Sequence, residues 1–288
     1  MKPAAFDYHC PGDLTEAIGL LQQHGDEAKV LAGGQSLIPL LSLRLSRFEH
    51  LIDMRAIADL RGITAQNGSV RVAAMTTQSA VARSDDAAAV PLLAKATSHI
   101  GHYQIRNRGT VGGSLAHADP AAEYPAVALA LDASLEVAGP TGRRSIPASD
   151  FFRSTWTTAV EPDEVLVAAQ FPVWPGSCGW AVAEVARRAG DFAMCGAVCG
   201  VQLDGQRVSK AALALFGVDS VPVRAQTVEA AVTGSAVDDL DLAELGAELA
   251  STLDPPDDLH ASGQQRKRMA KTLVPQVLAA AIDEAKHA

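Results

Sequence analysis

The sequence predicts an α+β fold in which a two-part N-terminal domain precedes a smaller C-terminal domain. At 288 residues, the chain has the length of about two domains of about 150 residues each. Its first part alternates short apolar runs with helical patterns, whereas its last part has three strand-like runs followed by three helical ones. We therefore expect a domain over 1–175, with subdomains over about 1–57 and 58–175, and a second domain over 176–288.

The first subdomain has the pattern of a small βαβ unit. Asp13 can cap a helix that runs to His24, and Gly25 can end it. Short strands are expected over 29–32 and 51–54, with an apolar helix over 38–45 between them. No G-x-G-x-x-G motif follows either strand, so the unit lacks the dinucleotide fingerprint of a Rossmann fold.

The second subdomain reads as a larger mixed α/β unit. An Asn67-Gly68 turn joins two strand-like runs, which is typical of a β-hairpin. The expected strands are 62–65, 69–74, 134–138 and 165–171, and the expected helices are 77–82, 91–99 and 121–131. A Pro175-Gly176 pair then marks the boundary between the domains.

The C-terminal domain is expected to contain three antiparallel strands and three helices. The strands are predicted over 181–186, 197–203 and 211–216, and the helices over 223–232, 242–253 and 267–285. A run of strands followed by a run of helices is typical of a compact α+β domain.

Composition excludes several classes of function. The net charge is −9, with no basic stripe and few aromatic residues, so nucleic acid is a poor partner. No apolar run reaches the length of a membrane span, and the N-terminus lacks the apolar core of a secretion signal. We therefore expect a cytoplasmic protein without a membrane span.

Cysteine and histidine spacing gives no signal for a metal site. The four cysteines form no C-x-x-C pair, and Cys195 and Cys199 lie among small apolar residues, as buried thiols do. A [2Fe–2S] cluster needs about four well-spaced thiolates, which this chain cannot supply. The eight histidines form no H-x-x-x-H pair. The prediction is that the chain holds no metal.

Two glycine motifs are the strongest functional signal. They are Ala32-Gly33-Gly34-Gln35-Ser36-Leu37 and Thr110-Val111-Gly112-Gly113-Ser114-Leu115. A Gly-Gly pair permits positive φ and a close approach of backbone amides to a ligand, and a hydroxyl follows each pair. Either motif alone is better interpreted as an ordinary tight turn. Together they predict two halves of a cradle for a diphosphate, and hence a nucleotide cofactor.

Charged residues around the second motif extend this interpretation. Arg106 and Arg108 bring positive charge near the glycines, which suits a diphosphate. Glu123 opens the following helix, where a carboxylate suits the hydroxyls of a ribityl or ribose group. The alternative is that the arginines pair with surface carboxylates and that Glu123 is a solvated helix residue.

The chain closely resembles the FAD-binding medium subunit of the molybdenum hydroxylases, a family that includes carbon monoxide dehydrogenase and xanthine dehydrogenase. The two glycine motifs carry the resemblance, together with the segments 52–55, 74–77 and 187–193. The resemblance implies an oxidoreductase subunit with non-covalent FAD. It also implies a small [2Fe–2S] subunit and a large molybdopterin subunit, assembled as a dimer of heterotrimers, and electron transfer from the clusters through FAD to an external acceptor.

The resemblance also implies which residues contact FAD, while assigning this chain no catalytic residue. Val30, Leu31, Ala32, Gly33, Gly34, Gln35, Ser36 and Leu37 would wrap the diphosphate and adenosine. Thr110, Val111, Gly112, Gly113 and Ser114 would complete the diphosphate and ribityl contacts, and Glu123 would bind the ribityl chain. Ile100 and Leu166 would flank the cofactor, and Asp191 and Phe192 would approach the isoalloxazine face, although Phe192 could equally be a core residue.

Two positions depart from the family pattern. Glu184 stands where a lysine is common, which would make the flavin region less positive, and Gln78 replaces a common histidine. The overall likeness points to an N-heteroaromatic substrate. The sequence has no second nucleotide motif, so we expect a quinone, a carrier protein or oxygen rather than NAD as the acceptor. The alternative is a self-sufficient FAD-dependent oxidase or reductase. That class usually adds a larger substrate-cap domain than the residues after Gly176 could form.

Overall fold

The computed structural model describes residues 2–288. The strands are β1 (Asp7–His9), β2 (Ala28–Leu31), β3 (His50–Asp53), β4 (Ile63–Gln66), β5 (Ser69–Ala73), β6 (Ser134–Gly139), β7 (Gly142–Pro147), β8 (Phe152–Ser154), β9 (Thr157–Thr158), β10 (Val165–Pro172), β11 (Cys178–Ala186), β12 (Ala193–Asp204), β13 (Arg207–Phe216) and β14 (Val223–Arg224). The helices are α1 (Leu14–His24), α2 (Leu37–Ser42), α3 (Gln78–Val81), α4 (Pro91–His99), α5 (Tyr103–Arg106), α6 (Val111–His117), α7 (Glu123–Ala130), α8 (Ala148–Phe151), α9 (Gln226–Val232), α10 (Leu242–Thr252) and α11 (Gly263–Lys286). Over these residues no helix combines the length and apolar character that a bilayer crossing requires.

The first subdomain is a three-stranded parallel sheet with α1 packed against it. The strand order is β1-β3-β2. Helix α1 begins where Asp13 Oδ1 accepts a hydrogen bond from the Glu16 amide at 2.9 Å, and it ends at Gly25, whose φ is 51°. The predicted βαβ character is confirmed. Strand β1 was not predicted, because its three residues Asp7-Tyr8-His9 lack the alternation of apolar and polar residues that indicates a strand.

The second subdomain is built on a five-stranded antiparallel sheet of order β4-β5-β10-β6-β7. The hairpin turn uses Asn67 and Gly68 at φ 52° and 71°, as the sequence predicts. Helices α4 and α7 carry the core of this subdomain, and α4 has the bounds that the sequence predicts, Pro91–His99. Strand β7 was not predicted, because most of its residues are exposed and polar.

The C-terminal part is a four-stranded antiparallel sheet of order β11-β12-β13-β14, followed by α9, α10 and α11. The α+β class with three helices is confirmed. The sheet has a fourth strand, since Val223 and Arg224 pair with Leu215 and Ala214 and only then does a helix begin, at Gln226. The boundary at 175 stays a prediction.

Strand β12 is buried on both faces. Its odd-numbered residues from Cys195 to Leu203 belong to a core shared with α11, whereas Val198 belongs to the core shared with α4 and α7. Gly196 and Gly200 lie on the Val198 face beneath aromatic rings. A Cβ there would approach ring atoms of Phe216 to 2.1 Å and of Trp180 to 2.4 Å. The sheet is therefore clamped between helices from both parts of the chain.

Candidate functional site

A cleft of about 640 Å³ separates the two N-terminal subdomains. The first subdomain contributes Ala32, Gly33 and Arg55, which follow the carboxyl ends of β2 and β3. The second contributes the remaining lining residues, Arg61, Gly62, Ile63, Met75, Thr76, Thr77, Ala80, Ser84, Asn107, Arg108 and Thr110. The volume is typical of a site for a small molecule or cofactor.

The first glycine motif forms a loop with unpaired backbone amides, and its Ala32 and Gly33 line the cleft. Gly34 has φ 73°, and the Gln35 side chain donates from Nε2 to the Gly33 carbonyl at 3.0 Å. Among residues 2–288, the main-chain amides of 33–36 find no protein acceptor. Successive unpaired amides in a tight loop form a concave site for an anion. This loop, residues 32–36, is called the first glycine loop below.

The two glycine motifs lie in contact. A Cβ on Gly33 would lie 2.2 Å from the Arg108 carbonyl oxygen and 2.8 Å from the Gly109 Cα. A Cβ on Gly113 would lie 3.3 Å from the Ala32 Cβ and 2.7 Å from Thr110 Oγ1. Glycine is thus required at Gly33 for close approach between segments, and not for positive φ.

The second motif begins a helix and is not the turn that its glycines predict. Thr110 caps α6, its Oγ1 accepting from the Gly113 amide at 3.0 Å. The Val111 and Gly112 amides donate to the Thr76 and Ala74 carbonyls at 3.0 and 2.9 Å. Neither glycine has positive φ, and Gly112 is needed because its Cβ would lie 2.4 Å from that of Ala74. These three amides are committed within the protein and are not offered to a ligand.

The arginine side chains in and near the cleft differ in how far hydrogen bonds within the protein hold them in place. Arg55 donates from Nε to buried Asp53 at 2.6 Å, and Arg61 donates to the Arg55 carbonyl. Arg106 donates to the carbonyls of Ile100 and Gly101 at 2.9 and 2.7 Å, so its role is to close its own loop. Of the two arginines that the sequence placed near the glycines, only Arg108 lines the cleft.

Asp53 connects the cleft residue Arg55 to strand β1 through hydrogen bonds. Its Oδ2 also accepts a hydrogen bond from Tyr8 Oη at 2.9 Å. Burial, followed by this bond and the Asp53 charge, raises the pKa of Tyr8 to about 12. Tyr8 therefore stays protonated and donating at any physiological pH.

A second group of predicted residues is acidic and lies away from the cleft lining. Glu123 is half-buried at the start of α7, and its removal from water, with the nearby charges of Glu184 and Asp119, raises its pKa to about 8. Glu184 places Oε1 3.6 Å from His99 Nδ1, while its Oε2 is buried without a hydrogen-bond partner among the described residues. At neutral pH Glu123 is largely a neutral carboxyl, able to donate as well as accept a hydrogen bond.

The remaining predicted contacts are dispersed. Ile100 and Leu166 are buried in the main core, at 8% and 6% exposure. Asp191 and Phe192 lie between β11 and β12, and Phe192 is 67% exposed and so is not a core residue. Of the predicted site residues, Ala32, Gly33 and Thr110 line the cleft, whereas Ile100, Glu123, Leu166, Asp191 and Phe192 do not.

Several cleft residues were not among the predicted contacts. Arg55, Thr76 and Thr77 fall within the segments 52–55 and 74–77 that carry the family resemblance, so that signal was present in the sequence. Next to them, the main-chain amide of Gln78 donates to the Gly109 carbonyl at 2.9 Å. The side-chain Oε1 of Gln78 is buried and has no hydrogen-bond partner among the described residues. Gln78 thus joins α3 to the segment before the second motif.

A cleft bordered by a loop of unpaired amides suits the diphosphate of a nucleotide cofactor, and comparison with known proteins identifies which cofactor the family binds. Residues 4–174 match the family described as the FAD binding domain in molybdopterin dehydrogenase, and residues 180–281 match the CO dehydrogenase flavoprotein C-terminal domain. The chain belongs to this family of FAD-binding oxidoreductase subunits. The predicted resemblance, enzyme class and FAD cofactor are confirmed.

Relatives match over nearly the full length of the chain. The carbon monoxide dehydrogenase medium chain of Hydrogenophaga pseudoflava is 37% identical, with 98% of each chain covered. Subunit alpha of the 6-hydroxypseudooxynicotine dehydrogenase complex of Paenarthrobacter nicotinovorans is 38% identical, covering 99% of this chain and 97% of the relative. The crystal structure of quinoline 2-oxidoreductase from Pseudomonas putida 86 superposes with a TM-score of 0.94, at 36% identity and 99% coverage of both chains.

Proposed function

We propose that this chain is the electron-transferring FAD subunit of a molybdenum hydroxylase. It receives electrons from [2Fe–2S] clusters of a small partner subunit and passes them to an external acceptor. The observation that supports this most directly is the first glycine loop, which has four unpaired amides, lines the cleft with Ala32 and Gly33, and is held there against Arg108 and Gly109. Bound FAD supplies the capacity to take up electrons from one partner and release them to another.

The first glycine loop would bind the diphosphate of FAD. Its amides in 33–36 would donate to phosphate oxygens, and the Ser36 hydroxyl would add one donor. Arg108, which lines the same cleft, contributes positive charge. The α6 amides are occupied, so the second motif acts by close packing against this loop rather than by donating hydrogen bonds of its own from 111–113. We assign no covalent link between FAD and this chain.

Glu123 would bind the hydroxyl groups of the ribityl chain. Because its pKa is raised to about 8, it can both donate to and accept from those hydroxyls at neutral pH. Glu184 adds a second carboxyl to the same neighbourhood. Ile100 and Leu166 remain assigned as apolar residues that flank FAD, and Asp191 and Phe192 as residues that approach the isoalloxazine face.

Two partner subunits complete the proposed enzyme. Cys195 and Cys199 are buried in the C-terminal core while Cys10 is exposed, so the four free thiols of this chain do not converge on a cluster. A small [2Fe–2S] subunit and a large molybdopterin subunit are therefore assigned, in a dimer of heterotrimers. Four unpaired cysteines are usual in a reducing compartment, which supports a cytoplasmic location.

The proposed substrate is an N-heteroaromatic compound, hydroxylated in the large partner subunit. The relatives named for 6-hydroxypseudooxynicotine and for quinoline support this class, whereas the relative named for carbon monoxide favours a different one. Assay of the native complex with quinoline, a hydroxypyridine and carbon monoxide separates the two. Turnover of carbon monoxide alone would overturn the substrate assignment while leaving the FAD assignment intact.

Expression of the full chain without a tag tests the FAD assignment. We expect a yellow protein whose flavin is released by acid, and a colourless protein that refuses added FAD would overturn the proposal. Co-purification from the source organism tests the subunit role, since iron–sulfur and molybdenum subunits should accompany the chain. If the chain purifies alone and turns over a substrate with oxygen or a dye as acceptor, it is a self-sufficient oxidase or reductase instead.

A further inference from the structure

Three histidines from separate elements meet at one edge of the first subdomain. His9 ends β1, His24 ends α1 and His50 begins β3. Each is half-buried. Because β3 is parallel to β2, His50 lies at the amino end of this sheet, whereas Arg55 and Gly33 follow the carboxyl ends at the cleft. This histidine cluster is therefore separate from the proposed FAD site.

The three imidazole rings lie close enough together to coordinate one metal ion. His9 Nε2 lies 3.2 Å from His50 Nδ1, and the His24 and His50 rings stack with centroids 3.7 Å apart. One ring nitrogen from each histidine lies within 4.8 Å of the others. The Asp7 carboxylate adds an oxygen 3.9 Å from His50 Nδ1, on a side chain that is largely exposed.

This arrangement fits a tetrahedral transition-metal ion. With metal–nitrogen bonds of about 2.0–2.1 Å, tetrahedral ligand nitrogens are about 3.3 Å apart. The His9–His50 pair already has this spacing. The His24 ring is stacked on the His50 ring, so it would have to turn out of this stack to bring the third nitrogen to the same separation. Three histidines with a fourth position for water or a carboxylate are an established zinc ligand set.

We propose that His9, His24 and His50 bind one divalent transition-metal ion of the zinc type, with water or Asp7 in the fourth position. The ion would join β1, α1 and β3 into one unit. Because the ligands converge only in the folded chain, binding would stabilise the first subdomain against unfolding. The histidines are far apart in sequence, which explains why motif spacing gives no sign of this site.

Calorimetric titration of the tag-free, chelator-treated full chain with zinc chloride tests the proposal. A Cys10→Ser background removes the exposed thiol beside His9 as a competing ligand. We expect one ion bound per chain, a higher thermal midpoint with zinc, and the visible absorption of tetrahedral Co²⁺ when cobalt replaces zinc. His24→Gln should weaken zinc binding by more than the about 10–100-fold that loss of an outer-shell partner costs.

The matched controls are His260→Gln and His287→Gln, which change exposed histidines elsewhere and should leave binding unchanged. Circular dichroism of His24→Gln establishes that the variant is folded, and His50→Gln provides a second variant. The proposal is overturned if the background chain binds no stoichiometric zinc. It is also overturned if folded His24→Gln and His50→Gln bind zinc as tightly as the controls do.

Discussion

Replacing Gly33 by alanine tests the contact between the two glycine motifs. The added Cβ would lie 2.2 Å from the Arg108 carbonyl oxygen, about 1 Å closer than ordinary contacts permit. Backbone atoms on both sides prevent easy relief, so the first glycine loop must move away from Arg108. Overpacking of this kind costs about 1–3 kcal/mol. If FAD binding requires the closed arrangement, its affinity should fall by about fivefold to about 100-fold.

Fluorescence titration of the apo chain with FAD measures this loss. Gly19→Ala is the matched control, because a Cβ at Gly19 meets no atom within 4 Å and the residue lies in α1. That change should raise the free energy of unfolding by about 0.5–1 kcal/mol and leave FAD affinity unchanged. A Gly33→Ala chain that binds FAD as tightly as the Gly19→Ala chain would refute the proposed role of the loop.

Three further predictions concern buried groups. Because the folded pKa of Glu123 is raised to about 8, stability should fall as pH rises from about 4.5 to about 8, and Glu123→Gln should remove that fall, as measured by urea unfolding. Arg266→Met should lower the free energy of unfolding by at least about 2 kcal/mol, because Arg266 donates to the buried Gly217 carbonyl and to Asp258, both at 2.6 Å. Iodoacetamide should label exposed Cys10 rapidly and spare Cys199, whose thiol pKa is raised by burial; mass spectrometry of the native chain reports both.

Controls separate these predictions from general destabilisation. Arg268 is exposed on the same helix as Arg266, so Arg268→Met should be nearly neutral in the same unfolding assay. Wild-type and Glu123→Gln chains that lose stability in parallel between about pH 4.5 and about pH 8 would contradict the titration argument. Labelling of Cys199 at the rate of Cys10 in the folded chain would show that the C-terminal core opens.

Sequence patterns predicted the strands and helices that have a strong apolar signal. The runs 197–201 and 211–216, in β12 and β13, are apolar throughout, because these parts of the two strands are covered on both faces. Helix α4 was predicted with correct bounds because Pro91 marks its first turn and apolar residues follow at helical spacing. The structure places the two glycine motifs side by side, with Gly33 against Arg108 and Gly113 near Ala32, whereas their joint role as a diphosphate cradle stays a prediction.

Features that depend on distant partners were not predictable in the same way. Gly112 and Gly113 read locally as a turn, but the Ala74 and Thr76 carbonyls and the Thr110 hydroxyl bind the amides of 111–113 and start a helix instead. Short strands such as β1 and β14 exist because a neighbouring strand offers hydrogen bonds, not because their own residues favour extension. The convergence of three histidines likewise depends on tertiary folding alone.

The two-sided burial of β12 has a consequence for how the chain unfolds. Removing the N-terminal part would expose the face that carries Val198 and Phe216 to water, and removing α11 would expose the opposite face. If either part unfolds, apolar residues of the other part become exposed to water. The chain should therefore melt in one cooperative transition, despite matching two families in sequence. In the proposed electron-transfer subunit, β11 and β12, the strands on either side of the loop with Asp191 and Phe192, therefore stay packed against the N-terminal part for as long as the chain is folded.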